Sequence, residues 1–555
     1  MALQPPAQFR EPARIEATQN YREATALSER LAAFKEAAPP QQQQQQQRTV
    51  AIVGGGLSGL SCAKYVADAG HRVILYEARQ TLGGKVSAWR DADGDVVETG
   101  LHVFFGAYPN MLRLLAELGI RDRLQWKAHR MSFAMRDGGG LTSFEFPEGV
   151  PAPFNMAIAI LRNREMLTLL EKARMVPGLL PMLVGNAQEY VDQQDELSVG
   201  EFMRKYGVPE RAKDEVFEAM GKALDFVPAD ELSMAIILTA MNRFINEADG
   251  SQTAFLDGNQ PDRLCAPLRE YVENRGGRVF CGKPLVEILV EDDDTRRVRG
   301  LRFEDEIVVA DEYVLAMPVD VTKRLIPREW STMPFFSQLD GLEGVPVINV
   351  QLWFDGAIDA TLDGLVFSRS KCLSVYADMA KSCREFADDR SMLSLVFAPV
   401  VTPEKNWLAE SDDAIVNATV KELETVLSGT LPSLRKAAVV RTPRSVYSAI
   451  PGRNKYRPSQ RTPVPNLVLA GDYTYQRYLG SMEGAVLAGK LAAEVVAARA
   501  ANATLPPIKE PAPGASRGGG EPRNPSFVLP SRPARTLEEE PRGAIAFGGG
   551  EASLR

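Results

Sequence analysis

Hydrophobic positions along the chain change period several times, and those changes outline the elements. Residues 49–53 (TVAIV) form a short apolar run, 57–69 carry apolar residues at helical spacing, and 71–76 (HRVILY) are again apolar and β-branched. A strand, a helix and a second strand in that order predict a βαβ unit with the two strands parallel. Further strands are predicted at 278–280, 286–290, 312–316, 345–354 (VPVINVQLWF), 392–397 (MLSLVF) and 466–470 (NLVLA), with a helix over 482–497. This pattern predicts an α/β chain whose first unit is closed by distant pieces, with the residues between forming a second domain. No internal repeat is visible.

The flanks read differently. Residues 1–47 are helical in part, around 21–34, and end in two prolines and seven glutamines, a composition with no need of a packed core. Residues 501–555 hold nine prolines and eight glycines, too many for a segment that must offset its ordering entropy by burying apolar surface. The expected organisation is a flexible extension over 1–47 and a nucleotide-binding domain assembled from 48–150, 251–320 and 451–500. A helical substrate- and membrane-facing region follows over 151–250, a substrate domain over 321–450 and a disordered tail over 501–555.

Composition narrows the chemistry. Acidic side chains exceed basic ones, 72 against 64, which disfavours a general nucleic-acid binder. The five cysteines include no closely spaced pair and there are only three histidines, so neither a disulfide scaffold nor a metal site is expected. No window is long and apolar enough for a transmembrane helix. The first residues lack the apolar core of a signal peptide and carry glutamates, unlike an organelle transit peptide.

The strongest motif follows the first strand. Gly54, Gly56 and Gly59 form a GxGxxG turn around Ser58, and Glu77 ends the next strand 23 residues after Gly54. Such a turn suits a pyrophosphate at a helix N-terminus, and such an acid suits a ribose hydroxyl, so a Rossmann-type dinucleotide domain is expected. A second glycine pair follows in Glu77-Ala78-Arg79-Gln80-Thr81-Leu82-Gly83-Gly84-Lys85, with Arg79 and Lys85 as cations beside a diphosphate. Near the other end, Asp472 follows a buried strand and Met482 opens a helix whose positive end can stabilise negative charge. Asp472 also reads as an ordinary helix-approach cap.

The EAR-x-x-x-GG-K string resembles the FAD-binding stretch of the amine oxidase and carotenoid desaturase flavoproteins. The strings at 99–112 (TGLHVFFGAYPNML), 214–217, 230–234, 242–244 (NRF), 254–259 (AFLDGN), 344–350, 374–379, 442–447 (TPRSVY) and 478–485 (YLGSMEGA) continue the likeness in order. Over 49–498 the chain resembles the plant and cyanobacterial 15-cis-phytoene desaturases, the carotenoid desaturase branch of the FAD-dependent amine oxidase superfamily. ζ-Carotene desaturase shares the glycine motifs and GLHVFFG.

The resemblance implies an enzyme that takes FAD, introduces double bonds into phytoene by hydride transfer to the flavin, and is reoxidised by plastoquinone. It implies Val286, Asp472 and Met482 as further FAD contacts, Arg243 at the flavin-side pocket, and Phe104, Val446, Tyr447 and Leu479 lining that pocket. Each lining residue reads equally as core, Arg243 as a surface ion pair, and His102 as a satisfied core histidine. A forty-carbon hydrocarbon offers no polar handle, so an apolar tunnel and peripheral docking on a membrane are expected. The segments 151–161 and 167–183, with Arg162, Arg164, Lys172 and Arg174 interleaved, suit an interfacial surface, or ordinary amphipathic helices of the substrate domain. A plastid is implied, or the cytoplasmic face of a membrane for a cyanobacterial chain, with homo-oligomerisation left open. ζ-Carotene desaturase and a flavin-dependent carotenoid isomerase remain the alternatives, with a flavin-free, non-catalytic lipid-escort protein as a distant one.

Overall fold

The structure is a computed structural model that describes residues 9–12, 15–36, 47–135, 140–182, 187–247, 249–478, 480–512 and 544–546. Thr49–Val53 forms the middle of a five-stranded sheet. Arg72–Tyr76 and then Arg278–Phe280 lie on one side of it, Glu312–Leu315 and then Leu467–Leu469 on the other, and every pairing is parallel. A parallel sheet needs both faces covered. Helices Leu57–Asp68 and Met482–Ala500 pack together on it through their small residues. A side chain at Gly489 would overlap Ser61 Oγ and Ser58 O, so these helices meet backbone to backbone.

The second domain is an eight-stranded sheet, in the order Ala544–Ala546, Leu434–Thr442, Val347–Phe354, Met392–Phe397, Leu373–Asp378, Val366–Ser368, Arg130–Ala134 and Leu141–Glu145. It is antiparallel except where Val366–Ser368 meets Arg130–Ala134. All eight residues of Val347–Phe354 are buried, matching the unbroken apolar run in the sequence. Between the domains lie Phe104–Phe105, Thr253–Leu256 and Leu124–Trp126 as a small sheet, and the helices from Phe154–Arg162 to Met234–Asn246.

Both flanks depart from expectation. Residues Gln19–Glu36 form a helix that buries Tyr21, Ala24, Leu27 and Leu31, one face at helical spacing. That face rests on Leu57–Asp68, Pro109–Glu117 and Met482–Ala500, and Lys490 Nζ donates to Ala24 O at 3.1 Å. The expectation of a flexible extension is therefore corrected over this helix, while the glutamines of 41–46 lie outside the described residues. At the other end, 501–512 run against the body rather than away from it. Arg461 donates to Pro506 O at 3.0 Å, and Lys509 Nζ donates to Lys455 O at 2.7 Å and Arg457 O at 2.9 Å. Backbone carbonyls hold this stretch where apolar content alone would not. Of the rest of the expected tail, only 544–546 are described, as an edge strand beside Leu434–Thr442.

The three acids Asp91, Asp93 and Asp95, which gather as a cation ligand set would, surround Lys436 Nζ at 2.5, 2.7 and 2.8 Å. Their charge is thus met by an ammonium. All five cysteines are free thiols, and burial pushes Cys265, Cys372 and Cys383 up to about 12.

Leu31, fully buried at the helix interface, tests the docking of the N-terminal helix. Leu31→Ala is expected to cost about 2–4 kcal/mol of unfolding free energy, as for other buried leucines, read from denaturant titration. A loss below about 0.5 kcal/mol, the scale of ordinary surface substitutions, would mean that the helix is not packed there.

Candidate active site

The first glycine turn separates three jobs. Gly54 has φ +112°, and a Cβ there would lie 2.5 Å from Ala316 O, so the turn itself requires glycine. At Gly59 a Cβ would overlap Gly54 O, so the helix leaves the strand too closely for any side chain. Gly56 differs: nothing comes nearer than 3.8 Å to its Cβ position, so its small size serves approach from outside the fold. Ser58, in the first helical turn, is buried, and its Oγ has no partner among the described residues. An anion at this helix end would meet both the dipole and that hydroxyl.

The second glycine pair folds onto the first. Gly83 N donates to Gly55 O at 2.9 Å, and Gly83 and Gly84 have φ +110° and +60°. Glu77 sits beneath both turns, with Oε2 accepting from Gly55 N at 2.6 Å and Oε1 from Arg79 N at 2.8 Å. Two N–H groups fix the carboxylate, and its remaining lone pairs are free for hydroxyl donors. Ala78 and Arg79 are exposed at the rim, as is Val286 at 54%. Lys85 Nζ reaches Asp472 Oδ2 at 2.6 Å, which joins the glycine pair to the last strand of the parallel sheet. His102 Nε2 lies 3.1 Å from Lys85 O, so this histidine braces the same loop.

Met482 opens the C-terminal helix, whose cap is Ser481 Oγ accepting from Gly484 N at 3.2 Å. Glu483 is fully buried and accepts from Asn110 N, Asn110 Nδ2 and Met111 N at 3.0, 2.8 and 2.9 Å. Burial pushes its carboxyl up to about 7 against those bonds. The glycines, the unpartnered Ser58 hydroxyl and the Glu77 carboxylate together form a cradle that fits FAD.

A cavity of about 710 Å³ opens nearby. Arg243, in the last turn of Met234–Asn246, lines it and donates to Arg477 O at 3.2 Å. Its Cζ lies 5.1 Å over the Tyr478 ring, and its Nε has no partner among the described residues. Burial pulls the guanidinium pKa down, a cost that a salt bridge fully in water would not carry. Tyr447 and Arg457 share the lining, and Arg457 Nη2 donates to Asp472 O at 3.2 Å, linking the cavity to the cradle.

Two expected pocket residues lie elsewhere. Phe104 is fully buried in a strand paired with Thr253–Leu256, and Val446 is buried among core residues; neither lines the cavity. Apolar packing claims them, a competition that sequence alone does not resolve. Leu479 lies outside the described residues. Lys172 also departs from its expected interfacial place: it is buried and donates to Asn163 O, and burial lowers its pKa. One buried acid carried no signal in the sequence. Asp225 accepts from Ala449 N at 2.8 Å, and burial holds its carboxyl well above the usual range.

Parallel sheet, glycine cradle and adjoining cavity define a flavin-dependent oxidoreductase, and the comparisons agree. The family model described as flavin containing amine oxidoreductase matches residues 57–497. A solved oxidoreductase from Methanosarcina mazei shares the fold at TM-score 0.63 and 14% identity, over 80% of this chain and 98% of that one. Among curated proteins, 15-cis-phytoene desaturase of Synechococcus elongatus is 54% identical, covering 81% of this chain and 95% of its own. The chloroplastic/chromoplastic enzyme of Narcissus pseudonarcissus is 53% identical, over 80% of this chain and 78% of its own. A zeta-carotene desaturase of Synechocystis is 33% identical over 81% of this chain and 97% of its own. The chain belongs to the flavin containing amine oxidoreductases and, within them, to the 15-cis-phytoene desaturase family. It is an oxidoreductase whose cofactor is FAD.

Glu77→Ala is expected to weaken FAD retention by about 1–3 kcal/mol, because buried hydroxyls and N–H groups lose a charged acceptor. The flavin absorbance that survives gel filtration measures it. Equal flavin in variant and parent would remove Glu77 from the site.

Proposed function

We propose that this enzyme desaturates 15-cis-phytoene, by way of phytofluene to ζ-carotene, and that plastoquinone takes the electrons. Bound FAD would supply the acceptor for a hydride from an allylic carbon. Gly54, Gly56, Gly59 and Glu77 would hold the cofactor's diphosphate and ribose. Loss of a hydride leaves an allylic cation whose neighbouring proton is acidic enough to leave without a strong base, so few histidines suffice. Alignment of the hydrocarbon would supply most of the acceleration.

The Arg243 cavity carries the acceptor half of this reading. Gln188, Asn242, Asp195 and Arg457 share its wall, too polar a lining for a forty-carbon hydrocarbon but suited to a quinone head. An unpartnered Nε–H donor beside that space can stabilise negative charge gathering on a quinone oxygen. Greater identity to the phytoene enzymes than to the zeta-carotene enzyme favours phytoene as substrate.

Membrane docking has its own support. Phe154 and Leu161 of one helix and Leu170 of the next are 64%, 55% and 65% exposed, and Leu169, Val176 and Leu180 extend the patch. Arg162, Arg164 and Arg174 lie exposed beside it, the arrangement of a surface that sits in a lipid interface. Among the described residues no helix is long and apolar enough to cross a membrane. A substrate drawn from lipid gains little from leaving it, so a tunnel mouth at the bilayer matters more than affinity. The chloroplastic relatives favour a plastid as the place of work.

Incubation with 15-cis-phytoene in liposomes, with and without a plastoquinone, followed by chromatography of the carotenes, tests the reading. Quinone-dependent phytofluene and ζ-carotene are expected; isomers without net oxidation would mean an isomerase. Arg243→Ser is expected to slow reoxidation of the reduced enzyme by a plastoquinone analogue by about 2–4 kcal/mol in stopped flow, with flavin content kept. A surface ion pair predicts no kinetic change. Leu161→Glu with Leu170→Glu is expected to abolish co-flotation with anionic vesicles, since each buried leucine contributes about 1.5–3 kcal/mol. Undiminished flotation would move the docking face elsewhere.

A further inference from the structure

The cavity beside Arg243 has a wall that comes from far away in sequence. Gln19, Asn20 and Glu23, in the first turns of the N-terminal helix, line it together with Arg243, Arg477 and Tyr478. Two guanidinium groups share one ring there, Arg243 Cζ at 5.1 Å and Arg477 Cζ at 5.6 Å from the Tyr478 centroid. Like charges so close repel, and each lowers the other's hold on its position. Two carboxylates answer them. Glu23 accepts from Arg477 Nη1, and Glu247, one helical turn beyond Arg243, accepts from Asn20 Nδ2. The N-terminal helix thus supplies one of these acids and anchors the other.

From Glu23 the connections run inward. Gln19 Nε2 donates to Glu23 Oε1 at 2.8 Å, which fixes the carboxylate along its own helix. Glu23 holds the Arg477 side chain, and the Arg477 carbonyl receives Arg243 Nη2 at 3.2 Å. Burial opposes the charge on Arg477, and Tyr478 and Glu23 more than restore it. Among the described residues no other carboxylate forms an ion pair with this arginine.

We infer that the N-terminal helix is a working wall of the electron-acceptor site, with Glu23 as a positioning residue that acts through Arg477 to aim the Arg243 guanidinium into the cavity. This rests on the reading of that cavity as the quinone site. Removing Glu23 would leave Arg477 free to swing and Arg243 repelled by an unpaired neighbour, while the cofactor cradle and the hydrocarbon's path stay as they are.

The test uses the full-length holoenzyme. Glu23→Gln, Glu23→Asp and Arg243→Ser are each measured for binding of a short-tailed plastoquinone analogue by fluorescence titration in the absence of phytoene. KM for the quinone, KM for phytoene, flavin content and thermal midpoint complete the set. Glu23→Gln is expected to weaken quinone binding and raise its KM about three- to tenfold, the reach of a partly exposed ion pair acting through one neighbour. KM for phytoene and flavin content should hold, and Glu23→Asp should recover part of the loss, which a merely structural role would not produce. If Arg243→Ser weakens quinone binding and Glu23→Gln does not, the positioning role is wrong and the acceptor site stands. If neither variant changes quinone binding, the acceptor-site reading itself fails. A fall in thermal midpoint without any change in quinone affinity would assign the helix to stability alone.

Discussion

Two helices in contact without intervening side chains hold the molecule together. The helix that leaves the glycine turn and the helix Met482–Ala500 cross at Gly489, where Ser58 and Ser61 leave no room for a methyl group. Such a contact tolerates little sliding, because dispersion at backbone distance falls steeply with any gap. It locks the turn that would receive a diphosphate against the helix start that would face a flavin ring. The Lys85–Asp472 ion pair adds a second connection, between the second glycine pair and the loop after the last strand. Both halves of the cradle are therefore one rigid body, though hundreds of residues separate them in sequence.

From that body the cavity beside Arg243 follows. Arg457 reaches Asp472 O from the cavity wall, and Arg243 reaches Arg477 O from the opposite side. Main-chain carbonyls of one loop, 472–477, thus receive the cations that shape the cavity. A rigid scaffold presenting a loop lined by charged groups is the usual way a fold supports chemistry without deforming during it.

How much of this could be read from the chain depends on range. The glycine turn, Glu77 and the parallel strands are local patterns, and the strand limits fall within about two residues of the periodicity. Docking of Gln19–Glu36 was harder to read, since Ala, Leu and Glu at helical spacing predict a helix but not what its face meets. Phe104 and Val446 went to core because an apolar residue beside a pocket and one beneath it look alike in sequence. Asp225 was invisible for the same reason in polar form: its partner, Ala449, lies 224 residues away and offers only a backbone N–H. Lys172 resembled an interfacial cation until its ammonium was found turned inward to Asn163.

The order in which the parallel sheet is threaded has a consequence for synthesis. Among the described residues, its outer strand, Leu467–Leu469, and the helix Met482–Ala500 are the last pieces of this sheet and its cover to leave a ribosome. Until they arrive, Glu312–Leu315 presents an open edge, and the first glycine turn lacks the helix that packs against it. Nascent chains therefore hold a half-built cradle for most of translation, with buried-to-be edges exposed to other chains. A chain stopped short of Met482–Ala500 lacks the helix that packs against Ser58 and Ser61, and with it one side of the cradle.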